Sequence, residues 1–165
     1  MKTLLLIRHA KSSWEQPGLS DFDRPLNERG KKDAPVMAKR VKEKGIELDH
    51  LVSSPAKRAR QTAKHFTEEF GFKKEDIKLV EELYGATQAE FLKAVKEIEN
   101  KFKTVALFSH NPGITDFASS LTNVRVDNMP TGAVFALQIE TDSWSEFGNA
   151  EKNFLFFDYP KNPLD

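Results

Sequence analysis

Apolar residues along this chain fall into two patterns. Short runs without alternation, Leu4–Leu5–Leu6–Ile7 and Thr104 to Phe108, read as strands buried on both faces, the kind found in parallel sheets. Between such runs, apolar residues recur at helical spacing. The stripe Ala34, Met37, Ala38 and Val41 predicts a helix capped by Asn27 and running to about Lys44, with Gly45 as its stop. Pro35 lies inside that pattern and should kink the helix or mark a restart. Ala59, Thr62, Ala63, Phe66 and Phe70 predict a second helix. Ser54 is its expected cap, Pro55 its first residue and Gly71 its end. Thr87-Gln88-Ala89-Glu90 is a capping box opening a third helix with the stripe Phe91, Val95, Ile98 and Phe102. A fourth is expected to be capped by Asn111 and started by Pro112, with Ile114, Phe117, Ala118 and Leu121 facing inward.

Leu48–Val52 and the weaker Ile77–Val80 complete a set of strands that alternate with these helices up to Leu121. Val134–Ile139 and Phe154–Tyr159 then read as two antiparallel strands joined through the polar segment 140–153, and the tail from Pro160 reads as loose. The expected fold is therefore α/β: one domain over residues 1–165, a three-layer α/β/α sandwich with a central, mostly parallel mixed sheet. The stretch from Lys11 to Leu26 shows no period and contains Pro17, Gly18 and Pro25. A loop of that length in a compact domain is usually functional.

Composition narrows the function classes. The 25 basic and 25 acidic side chains leave a formal net charge of zero, which gives no global attraction to nucleic acid or to a membrane surface. No apolar run is long enough to cross a bilayer, and the N-terminal one is too short for a signal peptide, so a cytoplasmic location is expected. Cysteine is absent, which removes disulfides, thiolate zinc sites and thiol nucleophiles together. No Walker A or G-x-G-x-x-G pattern occurs, and no third metal ligand stands at a recognisable spacing from the histidines. Ser109-His110 with Asp116 lacks the G-x-S-x-G context of a hydrolase triad. His50 and His65 are expected to face solvent.

The chemistry collects at strand ends. Ile7 leads into Arg8-His9, Val52 into Ser53-Ser54-Pro55, and Phe108 into Ser109-His110. The dipeptide Arg8-His9 alone says little, since any strand can end so. If the strands are parallel neighbours, however, all three ends meet at one sheet edge, where open α/β sheets bind ligands. Arg58, near the start of the second helix, would reach the same place. Two imidazoles, two guanidiniums and two helix N-termini make a phosphate site, because the guanidinium fork matches phosphate oxygens. A neutral imidazole at His9 is a competent nucleophile, with Arg8 holding the anion it attacks.

These residues resemble the histidine phosphatase superfamily, the phosphoglycerate mutase-like proteins. Leu6-Ile7-Arg8-His9, Ser54-Pro55 with Arg58-Ala59 and Gln61-Thr62, and Ser109-His110 stand in family order. The stretches Arg8–Trp14, Asp23-Arg24-Pro25-Leu26, Ser109–Pro112 and Pro130-Thr131-Gly132 are similar to the phosphohistidine phosphatase SixA branch. The resemblance covers nearly the whole chain. It implies His9 as the residue that takes the phosphoryl group and Arg8 and Arg58 as ligands of its oxygens. It also implies a protonated His110 completing the pocket, with Arg24, Ser12 and Asn111 as further substrate-binding residues. No cofactor or metal is implied. Two departures stand out: Ala10 replaces the usual glycine, and Glu15 stands where mutase-type members carry asparagine.

The resemblance places a general acid after the third strand, where Glu82 is the better candidate over Glu81. A phosphohistidine substrate needs less proton donation than a phosphoester, since imidazole leaves more readily than an alkoxide. Expected partners are thus a phosphohistidine protein or a small phosphorylated substrate, with neither nucleic acid nor membrane. Three functions stay open: a metal-independent phosphohistidine phosphatase, a small-molecule phosphomonoesterase using the same site, and an inactive phosphate-recognising regulatory module.

Overall fold

The computed structural model describes residues 1–162. Its centre is a six-stranded sheet in the order β3-β2-β4-β1-β5-β6. The strands are β1 (Lys2–Arg8), β2 (His50–Ser53), β3 (Ile77–Leu79), β4 (Thr104–Ser109), β5 (Val134–Ile139) and β6 (Lys152–Asp158). The helices are α1 (Glu28–Glu43), α2 (Lys57–Phe70), α3 (Gln88–Lys96) and α4 (Gly113–Leu121). β1 to β4 run parallel, and β5 pairs antiparallel with both β1 and β6, so the sheet is the expected mixed, mostly parallel one.

Alternation along β1 explains its wholly apolar sequence. Leu4 and Leu6 enter the core layer that also holds Phe91 of α3 and Phe117 of α4. Leu5 and Ile7 enter the opposite layer with Met37 of α1 and Phe66 of α2. Both faces of the strand are dry, and each such side chain contributes roughly 1.5–3 kcal/mol by burial. The same division holds in β4, with Val105 and Leu107 on one side and Ala106 and Phe108 on the other.

Several local expectations are corrected. α1 does not restart at Pro35 but continues through it, with Pro35 on the exposed side, where water can satisfy the carbonyl its missing N–H leaves free. α2 begins at Lys57 and α4 at Gly113, so neither helix starts at its proline, and neither Ser54 nor Asn111 caps one. α3 stops at Lys96, although Ile98 and Phe102 still pack on the core. The polar-looking segment 140–153 carries Trp144 and Phe147 fully buried in the core, with the Trp144 indole donating to Phe102 O at 2.7 Å. His50 is half-buried, its ring stacked on Phe102 at 4.1 Å, and His65 is also half-buried. The chain after β6 is clamped rather than loose. Arg40 donates to the carbonyls of Tyr159, Pro160 and Asn162. The last part of that expected tail, 163–165, lies outside the described residues. Among the described residues no helix is long and apolar enough to cross a membrane.

Candidate active site

Register brings the chemistry together. Arg8 stands beside Ser109 across β1 and β4, and Ser53 stands beside Phe108 across β2 and β4. The three strands therefore end level, and the residues that follow them share one edge. His9 N–H donates to Ser109 O at 3.1 Å and Ser54 N–H to Phe108 O at 2.9 Å, which carries the pairing one step past the strands.

The turn after β1 is held from three sides. Gly132, at φ 78°, donates its N–H toward the carbonyls of Arg8 and His9 at 3.1 and 2.9 Å. A side chain there would be strained by the backbone angle. Ala10 N–H donates to Thr62 Oγ1 at 2.9 Å, and Gln61 Oε1 accepts from Leu26 N–H at 2.8 Å. Neighbouring residues of α2 thus grip both ends of the long loop. Gly30 of α1 packs so closely on this turn that a Cβ would lie 2.1 Å from Lys11 O.

These restraints aim His9 and Arg8 into one cavity of about 450 Å³, together with Arg24, Arg58 and His110. His9 is 6% exposed. Its Nδ1–H donates to Ala10 O at 2.7 Å, which assigns the proton to Nδ1 and leaves the Nε2 lone pair free. That unprotonated Nε2 accepts a long hydrogen bond from Arg58 Nε–H at 3.4 Å. Arg8 reaches the same cavity because its Nη1 is drawn to Met129 O at 2.8 Å. The ring of His110 lies 5.1 Å from that of His9, and its Nε2 is 2.7 Å from Ser54 Oγ. Ser54 Oγ also accepts from Ala56 N–H, so this hydroxyl organises the turn before α2.

Asp21 and Tyr84 complete the arrangement. Asp21 accepts from Arg58 through its carbonyl at 2.6 Å and its carboxylate at 3.0 Å. The same carboxylate takes Arg24 at 3.1 and 3.2 Å and the Tyr84 hydroxyl at 2.6 Å. No local pattern in the sequence marks either residue beyond Asp21 standing three residues before Arg24. The Tyr84 hydroxyl, then Arg58, hold the Asp21 carboxyl below the ordinary carboxylate range, so it stays charged and fixes both guanidiniums.

Both imidazoles are held neutral. Burial first, then His110 and the arginines, push His9 down to about 3 against the opposing pull of the Ala10 carbonyl. Burial and then Arg58 push His110 down to about 3. The protonated His110 that the resemblance implies runs against this lowering, in which burial and Arg58 outweigh the opposing pull of the Asp21 carboxylate.

The remaining sequence-predicted residues divide. Ser12 and Asn111 line the cavity. The Ser12 hydroxyl accepts from Arg24 at 2.8 Å, and the Asn111 side chain is tied to Thr115, Asn128 and Met129. Glu82 is exposed in the short turn Glu81–Leu83 and is not part of the cavity wall. The carboxylate that does border the cavity is Glu15, exposed at its mouth. Among the described residues no three His, Cys, Asp or Glu side chains come together as ligands of an ion.

The profile of the histidine phosphatase superfamily (branch 1) matches residues 4–86, half of the chain, including His9, Arg24 and Arg58. The chain belongs to the histidine phosphatase superfamily. An uncharacterized chloroplastic protein of Arabidopsis thaliana is 29% identical over 153 residues, 88% of this chain and 70% of its own length. A 2,3-bisphosphoglycerate-dependent phosphoglycerate mutase of Bartonella tribocorum is 38% identical over 72 residues, covering 42% of this chain and 35% of the mutase. A crystal structure from Agrobacterium tumefaciens named for the phosphohistidine phosphatase SixA superposes with a TM-score of 0.80 at 26% identity, over 96% of this chain and 98% of that one. The similarity to this structure thus extends past Ala86, where the family match ends, through β4, β5 and β6, the part that carries His110.

Proposed function

We propose that the chain is a phosphatase that passes the phosphoryl group through Nε2 of His9, and that its substrate is phosphohistidine carried on a protein. The observation that carries this reading is the state of His9. A buried neutral ring has its proton committed to Ala10 O and its free nitrogen turned to a guanidinium in a cavity walled by Arg8, Arg24 and Arg58.

In the first step the Nε2 lone pair forms a bond to phosphorus as the bond from phosphorus to the leaving nitrogen breaks. The leaving imidazole keeps that electron pair and takes a proton from solvent. In the second, water attacks phosphorus, the phosphorus–Nε2 bond returns its pair to His9, and the water proton leaves to solvent with inorganic phosphate as product. Positioning and charge stabilisation dominate such transfers, and the arginines supply both. An alkoxide leaving group would call for a strong proton donor. Glu82 stands outside the cavity wall, Asp21 stays ionised, and the one carboxylate on the wall, Glu15, is exposed at the mouth rather than buried among the arginines, which favours a phosphorus–nitrogen bond.

The test offers a phosphohistidine protein, phosphoaspartate and an aryl phosphate to the wild type and to His9→Ala. Turnover of the first alone, lost in His9→Ala, supports the reading. Unchanged turnover in His9→Ala overturns the mechanism. Phosphate binding without any turnover points to a recognition module.

A further inference from the structure

We propose that the free face of Trp14 is a stacking platform for a flat ring borne by the phosphoryl group, the leaving group of the reaction above. Of the two tryptophans, Trp144 is fully buried, whereas Trp14 is 77% exposed. Its place is nonetheless set. The Arg24 guanidinium lies against one face of the indole, 3.5 Å from the ring centroid. Arg24 is itself buried and held by Ser12, Ser13 O and Asp21. A cation under the ring, fixed by three other partners, anchors the indole without help from the core.

Trp14 lines the same cavity as His9, Arg58 and His110. The imidazoles are buried, and Trp14 with Glu15 is exposed at the mouth. In an in-line displacement the leaving group departs on the side of phosphorus opposite His9, which is toward that mouth. A group leaving in this direction meets an indole with one face covered by a cation and the other open. Indole faces attract flat rings by offset stacking. The ring can come from an imidazole on a protein or from a small aromatic phosphate; the chemistry is shared. This inference rests on the phosphatase reading for the direction of departure, and binding alone tests it.

The experiment measures, by calorimetry, the Kd of phenylphosphonate and of methylphosphonate, which carry the same anion with and without a ring. The wild type should prefer phenylphosphonate roughly two- to tenfold, as expected for one aromatic contact. Trp14→Ala should bring the ratio close to one, and Trp14→Phe should keep most of it. A wild type without preference, or a preference that survives in Trp14→Ala, overturns the proposal. So does an equal weakening of inorganic phosphate and phenylphosphonate in Trp14→Ala, which would make the indole only a support for Arg24. Hydrolysis of 1-phosphoimidazole and of a phosphohistidine protein by the wild type then separates the two sources of ring. If neither is cleaved while the phosphonate preference stands, the phosphohistidine reading fails and the platform remains.

Discussion

Arg58 is fully engaged before any ligand arrives: its three nitrogens face His9, Asp21 O and the Asp21 carboxylate. Replacing it removes charge and orientation together. Arg58→Ala should lower kcat/KM by about 100- to 1,000-fold, the usual loss for a preorganised donor to a developing charge. Arg58→Lys should recover little, because a point charge cannot keep the fork between Asp21 and His9. Steady-state kinetics on the accepted substrate check both. The imidazoles yield a second prediction. His9 and His110, pushed down to about 3, should both remain neutral at pH 5 in nitrogen–proton correlation spectra of the free protein. A ring titrating near 6.5 would contradict it. Lowered folded values mean that the unfolded chain binds more protons between about 6.5 and 3. Stability is therefore full above the upper value and is lost as pH falls through this window. Removing one such group in His110→Asn should flatten the fall of Tm between pH 7 and pH 5.

At the scale of elements, the site depends on close approach between α1 and the turn after β1. Gly→Ala inside a helix ordinarily stabilises by roughly 0.5–1 kcal/mol. At Gly30 the sign should reverse, because the added Cβ would meet a backbone oxygen, Lys11 O, at 2.1 Å, and a backbone atom cannot step aside by changing rotamer. Gly30→Ala should lower Tm and weaken phosphate binding together, since Lys11 and Ser12 must shift. Strand positions and helix stripes were legible in sequence because periodicity reports which face is buried. Caps were less so. Asn27 and Thr87 cap as expected, accepting from Gly30 N–H and Glu90 N–H. Ser54 and Asn111 have the same residue types, yet tertiary partners, His110 and the loop at Asn128–Met129, take their side chains.

For the whole molecule, ligand binding and folding are linked, since the arginines and histidines converge only in the folded state. Inorganic phosphate at about a hundredfold above its Kd should add about 2.7 kcal/mol to the unfolding free energy. In a chain of this size that is a rise in Tm of about 5–10 °C. Thermal unfolding with and without phosphate measures it, and Arg58→Ala should abolish the shift. From its sequence alone this chain carried the parallel sheet, the three chemically loaded strand ends and the convergence of His9, Arg58 and His110. Runs and stripes are local signals, and parallel order then levels the strand ends. Tertiary structure decided what surrounds them. Asp21 and Tyr84 are 63 residues apart and meet only because the long loop folds back over the sheet edge. The same folding seats Trp14 on Arg24 and leaves Glu82 outside the cavity wall. The neutral state of His110 follows from burial among guanidiniums, a property of the assembled site that no local pattern encodes.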